Sequence, residues 1–363
     1  AGGWLHRERP SQGGTTVKLS KVILTGTVGL MSLSLAACGG GSGDGSSAGG
    51  GSQTVFKLAF NQTEDHPQYA AGVALGEKLE EATDGRYSVK VYPNEQLGGQ
   101  ADVIQNLSNG TVELMWVGAP VLEGFNSDFV VFNLPYMFDS TEAQGAVLSN
   151  TDALDDLYHS IEAAKSITVL TGVNAGTRNV YNSKHPIQTP ADLQGLKIRV
   201  QQSDSQVAMI EAMGAIASPM NNGDVYSALQ TGVLDGAENN EVTWDALKQS
   251  EVAKYYSYTR HLMLPDYLLM STKALDKMSD EDQAALLEII PEIQKLANDG
   301  FADFTEKSIE HATSIGAQFN DDVDVAAFKS LVQPLVESSV NENDVRKGLY
   351  QLVQDANAAH PAK

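Results

Sequence analysis

One cysteine stands in 363 residues, Cys38. An internal disulfide framework and a multi-cysteine metal site are therefore excluded. Basic residues are scarce too: 24 Lys and Arg stand against 46 Asp and Glu, a formal charge of −22. Nucleic-acid binding needs basic patches that displace counterions, so no nucleic-acid partner is expected. Adhesion to anionic lipid by charge alone is opposed by the same balance. The seven histidines are scattered, with no H-E-x-x-H or other paired spacing. No Walker loop is present, and no G-x-G-x-x-G follows a strand pattern. No metal and no cofactor are expected. Gly45-Ser46-Ser47-Ala48-Gly49 formally matches G-x-S-x-G, but it lacks the flanking strand and helix of a nucleophile elbow. With no catalytic motif, the sequence favours binding over turnover.

What is there begins with a targeting pattern. Lys18 and Lys21 form a short basic region, and Val22 to Leu35 is largely apolar but broken by Gly, Ser and Thr. Small residues then lead to the cysteine in Leu35-Ala36-Ala37-Cys38. Such a segment is a cleavable export signal, too short and too interrupted for a good transmembrane helix. Leu35 to Cys38 resembles a bacterial lipobox, in which the cysteine thiol receives a diacylglycerol. An ordinary signal peptide with an incidental cysteine is the plainer reading, but the only cysteine sits at the one place a lipobox needs it. Cys38 is thus expected to anchor the protein to membrane lipid without a protein span. Residues 1–16 read as upstream sequence, with Val17 at a misread alternative start. Residues 1–37 would then be removed, and Gly39 to Gln53, a Gly/Ser run, would form a flexible tether at 38–53.

From Thr54 the pattern alternates between strands and helices. Val55 to Phe60, Tyr87 to Tyr92 and Val112 to Val117 read as strands, and Pro67 to Ala82 and Gln100 to Ser108 as helices between them. This β-α-β-α-β rhythm predicts parallel strands covered by helices. It recurs after residue 165, with strands at Ser166 to Val173 and Leu196 to Val200 and helices at Ser203 to Met213 and Asp224 to Gln230. Ser279-Asp280-Glu281-Asp282 opens a long helical stretch to about His311, with a kink expected at Pro291. Phe328 to Ala356 adds further helix. His66, just before Pro67, reads as a loop or cap residue.

Five segments together resemble the solute-binding proteins of TRAP transporters (tripartite ATP-independent periplasmic transporters). They are Tyr92-Pro93-Asn94-Glu95-Gln96-Leu97-Gly98, Asn133-Leu134-Pro135-Tyr136-Met137-Phe138, Gly176-Thr177-Arg178, the segment from Asp192 to Val200, and the segment from Tyr226 to Asn239. They occur in order between about Phe56 and about Gln351. The resemblance implies two α/β domains of the periplasmic-binding-protein type, with a ligand cleft between them and a long helix across both. It divides the chain into residues 54–176 with 265–304, and 177–264 with 305–357. It implies an exported receptor that captures a small organic-acid anion, of sugar-acid or C4-dicarboxylate type, and delivers it to a membrane permease. A sensory receptor or an exported enzyme are the alternatives.

The resemblance also names residues. Arg199, in the Gly195 to Arg199 strand motif, is expected to pair with the ligand carboxylate, and Asn239 to line the same site. Arg178 is expected to reach the cleft, and Asn61 to supply a polar contact after the first strand. Asn222 and Gln100 complete the candidate set. A guanidinium suits the first role because its planar fork fits both carboxylate oxygens. From periodicity alone, Lys197 and Arg199 read as two solvated residues on one strand face, and Arg178 as a surface ion pair. Asn239 also fits a turn after Asp235-Gly236, and Asn222 fits an N-cap. Asn222 and Gly118 stand where the family's sialic-acid binders carry an aromatic and an acidic residue, which argues against sialic acid.

Overall fold

The strands Thr54–Ala59 (β1), Tyr87–Tyr92 (β2), Leu114–Gly118 (β3) and Ile167–Asn174 (β4) are rich in β-branched and aromatic residues, as a buried pleated surface favours. In the computed structural model, which describes residues 53–362, they join Pro265–Ser271 (β10) in a sheet of order β2-β1-β3-β10-β4. Arg178–Asn182 (β5), Lys197–Val200 (β6), Ile216–Pro219 (β7), Gly236–Asn239 (β8), Tyr255–Leu262 (β9) and Gln318–Asn320 (β11) form a second sheet, of order β11-β9-β5-β8-β6-β7. The fold is two α/β domains. The parallel pairing expected from the rhythm holds for β1 with β2 and β3, and for β6 with β7 and β8. Strand β10 is the departure: it returns from late in the chain and runs antiparallel between β3 and β4.

Alternation explains why both faces of each sheet are covered. In the first sheet Leu58, Trp116 and Leu268 point into a core with Leu75, Leu79, Ile290 and Ile293. Their neighbours Ala59, Met115, Val117, Tyr267 and Leu269 point the other way, onto Ile104, Phe129 and Val353. A strand buried on both faces reads as a near-continuous apolar run, as Leu114 to Gly118 does. In the second sheet Val180 and Ile198 meet Met209, Ile210 and Phe328, while Tyr181, Ala237 and Tyr256 pack around Trp244.

The chain crosses between the sheets at residues 174–178 and again at 262–265. Gly176 permits the first crossing. Its φ is +74°, and a Cβ there would lie 2.6 Å from Phe301 Cε1. Side chains pin the same segment: Asn174 Oδ1 accepts from Gly176 N at 2.6 Å, and Asn240 Nδ2 donates to Ala175 O at 2.6 Å.

The expected long helix is present as two successive helices, Asp280–Asp299 and Phe301–Ser314. The first packs on helix Pro67–Ala82 and the second on helix Glu241–Ala246, so together they span both domains. The interruption falls at Gly300 rather than at Pro291, through which the helix is continuous. The bond that proline deletes is to the carbonyl of Leu287, in a turn whose side chain is 53% exposed, so water can serve that carbonyl. The last helical segment is also two helices, Val325–Val340 and Asp344–Ala359, the second capped by Asn343, whose side chain accepts from Arg346 N at 2.8 Å. Sequence grouped residues 305–357 with the second domain. Helix Asp344–Ala359 instead packs on helix Thr141–Leu148 and the turn Ser127–Asn133, because Leu349 and Val353 join the first sheet's core. No helix of the described residues is long and apolar enough to cross a membrane. Cys38 and the G-x-S-x-G match lie outside the described residues.

Candidate functional site

Parallel strands deliver their following loops to one edge of a sheet, and ligands gather outside those carboxyl ends. Here both sheets present such edges to a shared cleft. Asn61 follows β1, Glu95 follows β2 and Gly118 ends β3; Arg199 lies in β6, Asn222 follows β7 and Asn239 ends β8. Gln100 opens helix Gln100–Asn109 and Arg178 opens β5. All six residues singled out from sequence line this one cavity.

The two arginines differ in what surrounds them. Arg178 is 3% exposed and its charge is met from within the protein. Its Nε donates to Glu238 Oε2 at 2.6 Å and its Nη2 to Glu238 Oε1 at 2.6 Å. A further Nη2 bond reaches Glu238 O at 2.7 Å, and Nη1 donates to Asn239 Oδ1 at 2.7 Å. Glu238 is fully buried and its carboxyl is held down to about 2; burial opposes this, but the charge of Arg178 and bonds from His261 and Arg178 outweigh it. The ion pair anticipated for Arg178 therefore exists, but in the interior. Asn239 is in turn oriented. Its Oδ1 accepts from Arg178 and from Asn240 N at 3.0 Å, leaving its amide NH2 with no partner among the described residues. It ends a strand, so the turn reading does not apply.

Arg199 is 4% exposed, and among the described residues no carboxylate pairs with it. Its Nε and Nη2 both donate to one carbonyl oxygen, that of Met220, at 2.9 and 2.6 Å. Burial lowers its pKa to about 10, with the like charge of Arg178 adding to the effect against the pull of Glu238. Lys197, two residues earlier, is exposed, so the reading of two solvated basic residues holds for Lys197 alone.

Acceptors share the cavity with this cation. Gln62 Oε1, Glu95 Oε1, Gln201 Oε1 and Asn222 Oδ1 belong to residues that line the cavity, are buried and have no hydrogen-bond partner. Native interiors rarely leave such groups unmatched, and each costs about 1–3 kcal/mol when it is. Asn222 is not an N-cap: Asn221 occupies the position before the short turn Asn222–Asp224. Gly118 brings the backbone close to Gln201, whose Oε1 would lie 2.8 Å from an added Cβ. Burial also pushes up the carboxyls of Glu95 and Asp266; Gly223 N donates to Glu95 Oε2 at 3.1 Å, and Gln68 Nε2 to Asp266 Oδ2 at 2.8 Å. His66 lines the cavity as well and caps helix Pro67–Ala82, its Nδ1 accepting from Gln68 N at 3.2 Å. Burial lowers its pKa to about 3, so it is neutral. Sequence reasoning passed over Glu95, Gln62, Gln201 and Asp266. Glu95 stood inside a quoted segment, but nothing in its spacing tied it to Arg199.

Two α/β domains thus share a polar cavity lined by a buried guanidinium that no carboxylate contacts and by residues carrying unmatched acceptors. The family model for bacterial extracellular solute-binding proteins of family 7 matches residues 58–343, and the chain belongs to this family, the solute-binding proteins of TRAP transporters. It is similar to a TRAP periplasmic solute-binding protein from Anaerococcus prevotii solved with bound α/β-D-glucuronate. The two are 34% identical with a TM-score of 0.83, over 85% of this chain and 100% of that one. A counterpart from Xanthobacter autotrophicus, solved with bound β-D-galacturonate, is 30% identical with a TM-score of 0.78, over 82% and 99% of the two chains. The C4-dicarboxylate-binding periplasmic protein DctP of Rhodobacter capsulatus is 31% identical over 72% of this chain and 78% of that protein.

Proposed function

We propose that this chain captures a sugar acid, a hydroxylated monocarboxylate of the hexuronate type, and passes it unchanged to a TRAP permease. The observation that carries the reading is Arg199. A buried guanidinium that no carboxylate contacts is costly, and a ligand carboxylate relieves that cost. The four orphaned acceptors call for donors, and sugar hydroxyls supply them. A C4-dicarboxylate fits less well. Its second carboxylate would meet Arg178 already matched by Glu238, with Glu95 and Asp266 nearby. The uronates held by two similar structures agree with this choice.

Arg199 receives the carboxylate, Asn239 and Asn61 donate to the ligand, and Glu95, Gln62, Gln201 and Asn222 accept its hydroxyls. Arg178 positions Asn239. Affinity arises from closure of the two domains, which excludes water and strengthens each of these bonds. The acidic surface repels anions at long range, but salt screens it beyond about 10 Å. The export signal and the lipobox-like segment support a receptor tethered outside the cytoplasm by lipid on Cys38.

A thermal-shift panel tests the reading: D-glucuronate, D-galacturonate, D-gluconate, succinate and D-glucose. A ligand that binds only the folded state raises its stability. The acids that carry hydroxyls are expected to raise Tm, and glucose and succinate to leave it unchanged. A shift with succinate alone overturns the assignment.

A further inference from the structure

Beside the ligand cavity, whose lining includes Val121 and Gln202, a carboxylate bridges the two domains. Glu123 lies in the turn Ala119–Gly124 that follows β3, in the first domain. Its Oε2 accepts from Ser203 Oγ at 2.9 Å and its Oε1 from Ser205 Oγ at 2.7 Å, both at the start of helix Asp204–Ala212 in the second domain. Asn133 Nδ2, from the first domain, donates to the same Oε1 at 2.8 Å and fixes the carboxylate from behind. Ser203 is also the N-cap of that helix, its Oγ accepting from Gln206 N at 3.4 Å, so the contact engages the helix end rather than a loose loop. Glu123 does not line the ligand cavity.

We propose that Glu123 is a positioning residue for ligand capture: its bonds to Ser203 and Ser205 form a latch that favours the closed arrangement of the domains with or without ligand. The proposal rests on the reading of the chain as a receptor that closes over its ligand. Burial pushes the Glu123 carboxyl up, the bonds from Ser205, Asn133 and Ser203 hold it down, and both serines reach it from the opposite domain. Opening must break both bonds, so the latch acts on ligand escape. Interactions of this kind change dissociation rates far more than association rates.

The test uses the full chain in a Cys38→Ser background, spin-labelled through Glu80→Cys and Glu211→Cys, exposed positions on opposite domains. Pulsed electron resonance measures the interdomain distance without ligand. The latch predicts a short-distance population that Glu123→Ala reduces about tenfold relative to the open one, with Ser205→Ala shifting it in the same direction. A second arm measures release of D-glucuronate by stopped flow, where Glu123→Ala is expected to raise the dissociation rate about tenfold with the association rate nearly unchanged. Absence of the short-distance population in the parent protein, or an unaltered distribution in both variants, overturns the latch. Failure of the parent protein to bind D-glucuronate sinks the sugar-acid assignment instead, and the ligand-free distances still decide the latch. If Glu123→Ala does not fold, Ser205→Ala, which removes only one of the two cross-domain bonds, decides it.

Discussion

Replacing Arg199 with Met separates what the residue does for the ligand from what it does for the fold. Met fills much of the same volume without charge or donors. In the ligand-free protein the substitution removes a cation whose pKa burial lowers from 12.5 to about 10, a cost of about 3 kcal/mol for holding it charged. It also removes two bonds to Met220 O, and charge-assisted hydrogen bonds contribute about 1.5–3 kcal/mol. The two bonds together contribute about 3–6 kcal/mol against that cost, so unfolding free energy in urea is expected to fall by no more than about 3 kcal/mol. Binding has no such offset. Removing one partner of a buried charge pair costs about 2–5 kcal/mol, which is a loss of about 30-fold to several thousand-fold in affinity. Isothermal calorimetry with D-glucuronate reads the second quantity. Affinity within threefold of wild type refutes the role of Arg199 in binding. A loss of 4 kcal/mol or more of ligand-free stability refutes the idea that Arg199 is an unpaired cation carried at a cost.

Three further outcomes follow from the same residues. Glu238→Gln leaves Arg178 buried without its counterion, so urea unfolding should show a loss of about 3–5 kcal/mol; an unchanged midpoint contradicts the internal pairing. His66 has a folded-state pKa of about 3 against 6.5, so between those values the unfolded chain binds a proton that the folded chain does not. Its contribution to stability is therefore lost as pH falls through that window, by about 1.4 kcal/mol per pH unit. Wild type should lose about 2 kcal/mol more than His66→Asn between pH 7 and pH 5, and equal losses contradict the buried neutral histidine. Finally, Cys38→Ser should move the protein from the membrane fraction to the soluble extracytoplasmic fraction of a bacterial host and abolish labelling by radioactive palmitate. Unchanged fractionation contradicts the lipid anchor.

Much of the fold was legible because its signals are local. The β-α-β-α-β rhythm and the helix from Pro67 to Ala82 follow from nearest-neighbour patterning. Strand β10 was not, because its place between β3 and β4 depends on pairing with residues about a hundred or more positions earlier. The break at Gly300 was hidden for a different reason. Proline is the stronger helix breaker in isolation, but Pro291 sits where its lost bond faces solvent, whereas a Cβ at Gly300 would lie 3.1 Å from Pro67 Cβ. In the candidate site, Arg199 and Asn239 came from resemblance and not from periodicity, which assigned Arg199 to solvent. The distinction that matters most, one arginine neutralised and one not, was invisible in sequence. Glu238 is sixty residues from Arg178 and adjacent to Asn239, and only the antiparallel pairing of β5 with β8 turns that adjacency into an ion pair.

The most direct test of the central claim is a crystal structure of the protein with D-glucuronate. The carboxylate is expected to pair with the Arg199 guanidinium, with Arg178 still bound to Glu238 and the sugar hydroxyls donating to the acceptors of Gln62, Glu95, Gln201 and Asn222. A carboxylate seated on Arg178 with Glu238 displaced, or a ligand bound away from Arg199, would contradict it.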